Sequence, residues 1–280
     1  MNLQRKTFLF GKIQLSYLDN ENNSAEETIL ITHANGFSAE CYSYIIKEFS
    51  EKFRILALDF CGHGKSEPTM NFKNWLFFRD QIISLIEHEK IEKLIGIGHS
   101  MGGASFLMTA KLLKDKIQKL ILFDPTILSV PKLLLGSIFG VPIAENARKR
   151  RKEFQNLEIV RKTYRRFPIF KRWDDEIFED YLRSCFQENS SGKVELVCDP
   201  ELEAKIFSSV SIFSPLKYVF ISTESHIIIP RNYGVCSPAA AKRIISGNKN
   251  SSLTLMPGFT HLFPFEEKTW VLSKLHKSLE

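Results

Sequence analysis

The segment Gly98-His99-Ser100-Met101-Gly102 places a serine between glycines two residues before and two after it, after an apolar run (93–99) and before a segment with helical patterning (102–115). A serine on so tight a strand-to-helix turn adopts strained dihedrals that only small flanking residues tolerate. Its Oγ then stands near the positive N-terminal end of the following helix. Such a hydroxyl attacks a carbonyl when a base removes its proton and backbone N–H groups receive the oxyanion that forms. One N–H comes from Met101, directly after Ser100. The other comes from the loop 31–38, with Asn35 as first choice and Gly36 or Phe37 as neighbouring candidates. The base is assigned to His261, the one histidine of seven that lies late in the chain just after a strand-like run. His33 and His63 fall in turns, His88 and His276 on exposed helix positions, and His99 points to the opposite side of the turn from Ser100.

These residues need a frame. Short apolar runs at 28–33, 54–59, 93–99 and 119–124 alternate with helical segments at about 40–51, 74–90 and 102–115. Runs without polar alternation predict strands buried on both faces, and their alternation with helices predicts an α/β fold with a mostly parallel central sheet. Further runs at 216–222 and 252–258 resume the pattern, 265–279 reads as a closing helix, and 6–19, with Gly11 mid-run, reads as an antiparallel hairpin at the sheet edge. Between 126 and 210 the strand pattern disappears and the chain becomes helical, basic and aromatic, with 172–186 as an amphipathic helix. The reading is a core of 1–125 and 211–280 with a helical insertion, 126–210, over the C-terminal edge of the sheet, where open α/β sheets hold their ligands.

Composition narrows the classes. The chain has 280 residues, a net charge of +6 and five cysteines without a CxxC spacing. An odd set of scattered cysteines fits a reducing, cytoplasmic compartment and predicts neither a disulfide framework nor a zinc site. The N-terminal residues lack the apolar core of a signal peptide, and the apolar region 127–144 is interrupted by Pro131, Lys132 and Pro142. Positive charge concentrates in 146–172, with eleven Lys or Arg against two Glu. The plain reading is a solvated helical surface, and the sharper one is a face toward anionic lipid or an acidic substrate. No nucleic-acid motif accompanies the charge, and no nucleic-acid partner is expected.

Together "HANGF" (33–37), "DFCGHGKS" (59–66), "GHSMGG" (98–103), "LILFDP" (120–125) and "PGFTHLFPFE" (257–266) resemble, in order and spacing, the α/β-hydrolase fold superfamily. The resemblance spans the chain except for the insert, which is similar to the helical cap of that superfamily. Cys61 stands where relatives of the form D-x-R-G-x-G-x-S carry arginine. A second departure concerns the acid that orients the histidine. Many relatives end the strand matching 216–222 in G-x-x-D, an apolar pair and proline, and alignment on Pro230 puts His226 at the aspartate. A second imidazole cannot replace a carboxylate there. Two acids remain: Asp124, at the end of the run after the nucleophile's strand, and Glu224 as the alternative. Asp174, Asp175, Asp199 and Glu266 have no spacing that recommends them.

The resemblance implies a serine hydrolase acting on a small-molecule carboxylic ester or related acyl substrate through an acyl-enzyme, with no metal or organic cofactor. Phe139, Phe154, Phe167, Phe170, Trp173 and Phe178 of the insert are candidates for an acyl pocket. Two alternatives stay open. One is a lysophospholipase-like lipid-ester hydrolase whose residues 146–172 meet an anionic membrane. The other is a low-turnover ligand-binding protein on the same fold.

Overall fold

The computed structural model describes residues 3–127, 141–210, 221–232 and 234–280. Eight strands form one sheet: β1 (Gln4–Phe10), β2 (Ile13–Asp19), β3 (Thr28–Thr32), β4 (Arg54–Asp59), β5 (Leu94–His99), β6 (Ile117–Phe123), then, after three short strands elsewhere, β10 (Glu224–Pro230) and β11 (Ser252–Met256). Their order is β1-β2-β4-β3-β5-β6-β10-β11, with the pairs β1–β2 and β2–β4 antiparallel and the rest parallel. The hairpin β1–β2 turns on Gly11, at φ 62°.

The central strands are apolar on both faces because both faces are covered. Ile29, Ile31, Ile55, Ile97 and Ile121 pack with the helices Ser43–Phe49 and Lys268–Leu279 on one side. Leu30, Leu56, Leu58, Leu120 and Leu122 pack with Leu76–His88, Met101–Ala110 and Pro238–Ile245 on the other. Successive residues of a strand point to opposite faces, so this division follows from the period-two geometry of extended chain.

Two sequence expectations shift. The strand expected at 216–222 lies at Glu224–Pro230; residues 216–220 lie outside the described residues, and Ile221 and Ser222 are not in a strand. The buried stretch Ile227–Ile229 is what anchors it in the sheet. The segment between β6 and β10 is also not purely helical. Besides the helices Pro142–Arg148, Leu157–Tyr164, Pro168–Lys171, Asp175–Cys185 and Pro200–Ser208, it holds a small antiparallel sheet of β7 (Glu153–Phe154), β8 (Phe186–Glu188) and β9 (Val194–Leu196), in the order β7-β9-β8. Strands of two or three residues are too short to show a period in sequence.

Asn156, Asp174 and Asp199 start three of the insert's helices by accepting the N–H of Ile159, Glu176 and Glu201. The segment shares an apolar cluster with the core through Trp173 and Tyr181, which pack against Phe37, and Trp173 also meets Phe265. Of the eleven cations in 146–172, Arg148, Arg150, Lys152, Arg161, Lys162 and Arg165 pair with carboxylates. Among the described residues no helix is long and apolar enough to cross a membrane.

Candidate active site

Ser100 sits between β5 and the helix Met101–Ala110 at φ 55°, ψ −113°, and Asp124, directly after β6, has φ 38°. Among the described residues only four non-glycine residues have positive φ, and two of them are this pair, so the strain concentrates where the two side chains converge. The small neighbours are required by space. A Cβ on Gly102 would lie 2.5 Å from Thr32 Oγ1 and 2.6 Å from the Thr32 carbonyl, and one on Gly98 would lie 2.7 Å from Gly103 Cα.

Ser100 Oγ is 2.9 Å from His261 Nε2, and His261 Nδ1 is 2.6 Å from Asp124 Oδ2. The carboxylate can only accept, so Nδ1 carries the proton and Nε2 is free to accept from the serine. Asp124 is fully buried, and its remaining capacity is met by the backbone N–H groups of Val235 at 2.8 Å and Cys236 at 2.9 Å. The loop after β10 therefore supplies donors to Asp124.

The alternative acid Glu224 is not brought to this place. It begins β10 opposite Lys119, whereas Asp124 follows the far end of β6. Five residues of extended chain separate the two levels, about 16 Å at about 3.3 Å per residue. Glu224 instead meets His226 Nε2 at 2.8 Å and Lys119 Nζ at 3.4 Å, and His226 Nδ1 lies 2.8 Å from Ser252 Oγ.

Of the oxyanion candidates, Gly36 N–H donates to His63 Nε2 at 3.0 Å and Phe37 N–H to the Ala34 carbonyl at 3.2 Å. The N–H groups of Asn35 and Met101 have no acceptor among the described residues. The Asn35 side chain is held by the Glu203 carbonyl at 3.1 Å, which fixes the loop. His33 braces it from below: Nδ1–H donates to the Ala34 carbonyl at 2.8 Å and Nε2 accepts Phe60 N–H at 2.9 Å. Both loop histidines are neutral, because burial pushes His33 down to about 4 and burial, with His33 beside it, pushes His63 down to about 3.

His99, Tyr42 and Thr126 also belong to the site, although sequence reasoning gave them no part in it. Tyr42 Oη lies 2.7 Å from His99 Nδ1, and His99 Nε2 lies 2.9 Å from the His261 carbonyl. The carbonyl only accepts, so His99 donates through Nε2 and accepts the tyrosine proton at Nδ1. Burial holds its pKa well below the usual histidine range, which keeps that tautomer neutral. Thr126 Oγ1 lies 3.1 Å from Ser100 Oγ.

Ser100 and His261 open into a cavity of about 570 Å³ whose walls include Asn35, Trp75, Ile143 and Phe207. Of the aromatic residues expected to form an acyl pocket, Phe154, Phe167 and Phe170 line a neighbouring hollow. Trp173 and Phe178 are packed into the core, and Phe139 lies outside the described residues.

Residues 27–153 match the family described as alpha/beta hydrolase fold. Over 241 residues the chain is 23% identical to a "Putative esterase/lipase" of Haemophilus influenzae, covering 84% of this chain and 77% of that protein. Esterase YbfF of Escherichia coli is 26% identical over 106 residues, which is 37% of this chain and 41% of that one. Among solved structures, E-2-(acetamidomethylene)succinate hydrolase superposes with a TM-score of 0.79 at 16% identity, covering 99% of both chains. With its sheet order, its strained serine turn and these likenesses, the chain has the alpha/beta hydrolase fold.

Proposed function

We propose that this protein is a serine hydrolase of carboxylic esters, working through Ser100, His261 and Asp124. The observation that carries the reading is the continuous hydrogen-bonded line from Ser100 Oγ through both nitrogens of His261 to a buried Asp124. His261 takes the serine proton as Oγ attacks the ester carbonyl. Asp124 holds the ring in the required tautomer and stabilises the imidazolium that forms. The oxyanion develops facing the unclaimed N–H groups of Met101 and Asn35. His261 then protonates the departing alcohol, and water, deprotonated by the same histidine, releases the acid from the acyl-enzyme. Relatives named as esterases support an ester over other acyl substrates.

The test is labelling of Ser100 by a fluorophosphonate in wild type, Asp124→Asn and Glu224→Gln. Wild type and Glu224→Gln are expected to label rapidly, and Asp124→Asn roughly 10²- to 10⁴-fold more slowly. Equal labelling of wild type and Asp124→Asn would remove Asp124 from the reaction. An unreactive wild-type serine would turn the reading toward a ligand-binding protein.

A further inference from the structure

Beside the serine cavity lies a second hollow of about 620 Å³ that the proposed chemistry does not use. The two share Asn35, Phe37, Arg150 and Glu203 in their walls, so they meet at the residue offered as oxyanion donor. Phe154, Tyr164, Phe167 and Phe170 make the second hollow aromatic, and three consecutive cations, Lys149, Arg150 and Arg151, line it.

These cations differ in what they already hold. Arg150 Nη1 is 2.5 Å from Glu203 Oε2, and its Nη2 is 3.3 Å from Tyr181 Oη, so its charge is compensated within the wall. Lys149 and Arg151 are exposed and make no ion pair with a carboxylate among the described residues. Arg151 Nε donates to the Glu153 carbonyl at 2.7 Å, and its guanidinium lies 4.9 Å from the centre of the Phe154 ring. That anchors the group against the aromatic wall while its two terminal nitrogens keep no acceptor among the described residues. Glu153 itself is engaged by Lys193 at 2.7 Å.

An apolar hollow with a few convergent, unsatisfied polar groups is the usual form of a ligand subsite. A guanidinium fixed on a ring presents its fork to a carboxylate or phosphate, and a lysine beside it adds a point charge. We propose, building on the serine-ester reading, that this hollow receives one branch of the substrate, and that this branch is an apolar chain or ring ending in an anionic group held by Lys149 and Arg151. The ester carbonyl then lies at Ser100 with its oxygen toward Asn35, and the branch on the Asn35 side passes Phe37 into the aromatic hollow.

The test uses ester pairs in which one member carries an anionic group and the other does not. The 4-nitrophenyl ester of monomethyl suberate against that of hemisuberate varies the acyl branch. The octanoyl esters of methyl 4-hydroxybenzoate and of 4-hydroxybenzoate vary the alcohol branch. Octanoylglycerol against octanoylglycerol phosphate asks whether phosphate replaces carboxylate. Wild type is expected to favour the charged member of at least one pair in kcat/KM, chiefly through KM. In Lys149→Ala/Arg151→Ala the charged-to-neutral ratio is expected to fall about tenfold. The ratio should largely persist in Lys149→Arg, which keeps both charges and the Arg151 fork.

A ratio near one in wild type for every pair, or a preference that survives the alanine variant, overturns the proposal while ester hydrolysis stands. Cosedimentation with phosphatidylserine-containing vesicles that depends on Lys149 and Arg151, without discrimination among soluble esters, assigns the two cations to a membrane surface and also overturns it. Absence of turnover on all esters together with an unlabelled wild-type serine removes the parent reading, and the proposal with it.

Discussion

At the scale of single residues, His99 acts on the site without touching the reacting atoms. It ties the His261 carbonyl to Tyr42 through a buried imidazole. Replacing it with leucine leaves that carbonyl without its donor and the tyrosine O–H without its acceptor, although the hydroxyl oxygen still accepts Ala34 N–H at 3.3 Å, a cost of about 1–3 kcal/mol for each buried group left unsatisfied. His261 would then lose the fixed backbone that aims its ring at Ser100. His99→Leu is expected to lower kcat by about 10- to 100-fold with little change in KM. His99→Gln, which keeps an N–H donor, should recover part of the loss, and steady-state kinetics on both variants checks it. A merely structural histidine would show the same kcat in both. Ser100, His261 and Asn35 were legible in the sequence because each stands in a loop whose small neighbours and strand context announce it. His99 was not, because its partner is a main-chain oxygen 162 residues away, which leaves no mark in residue type.

At the scale of elements, register sets which of the two acids that residue types left open lies beside His261. Asp124 directly follows β6 and Glu224 begins the neighbouring β10, so the two lie at opposite ends of the sheet. The sequence hid this because β10 begins with polar Glu224, Ser225 and His226. The run-based reading therefore ended the strand before them. In the fold they are tolerated since Glu224 meets Lys119 and His226, and Ser225 N–H donates to Ser251 Oγ at 2.9 Å. The serine turn was legible for the opposite reason, since its glycines meet a steric need that holds wherever a helix leaves a strand so sharply. Gly102→Ala tests that need. The added methyl would meet the Thr32 carbonyl at 2.6 Å, and backbone cannot step aside as a flexible side chain can. The variant is expected to lose about 1–3 kcal/mol of stability and to displace the Met101 N–H from the oxyanion position. Urea denaturation and fluorophosphonate labelling, measured together, check both effects. An unchanged midpoint with unchanged labelling would mean that the helix start moves freely from β3.

At the scale of the whole molecule, the histidines that brace the site make the fold sensitive to acid. His33, His63 and His99 are buried and neutral, with burial as the main cause of their lowered pKa values. The unfolded chain protonates each near pH 6.5. The native chain takes up a proton on His33 only at about pH 4 and on His63 only at about pH 3. Between those limits the unfolded state binds more protons, so stability is full above about pH 6.5 and falls as the pH drops toward the native values. Each histidine contributes a slope of up to about 1.4 kcal/mol per pH unit, and two of them over two units remove at most about 5.6 kcal/mol, comparable to the whole stability of many domains. Urea unfolding between about pH 7.5 and pH 5 is expected to show this slope before most carboxylates titrate, and His33→Gln should reduce it by about one proton. A flat profile for wild type would mean that the unfolded and native chains protonate these rings alike. A steep one predicts that hydrolysis lost near pH 5 disappears together with the fold, in step with the unfolding signal.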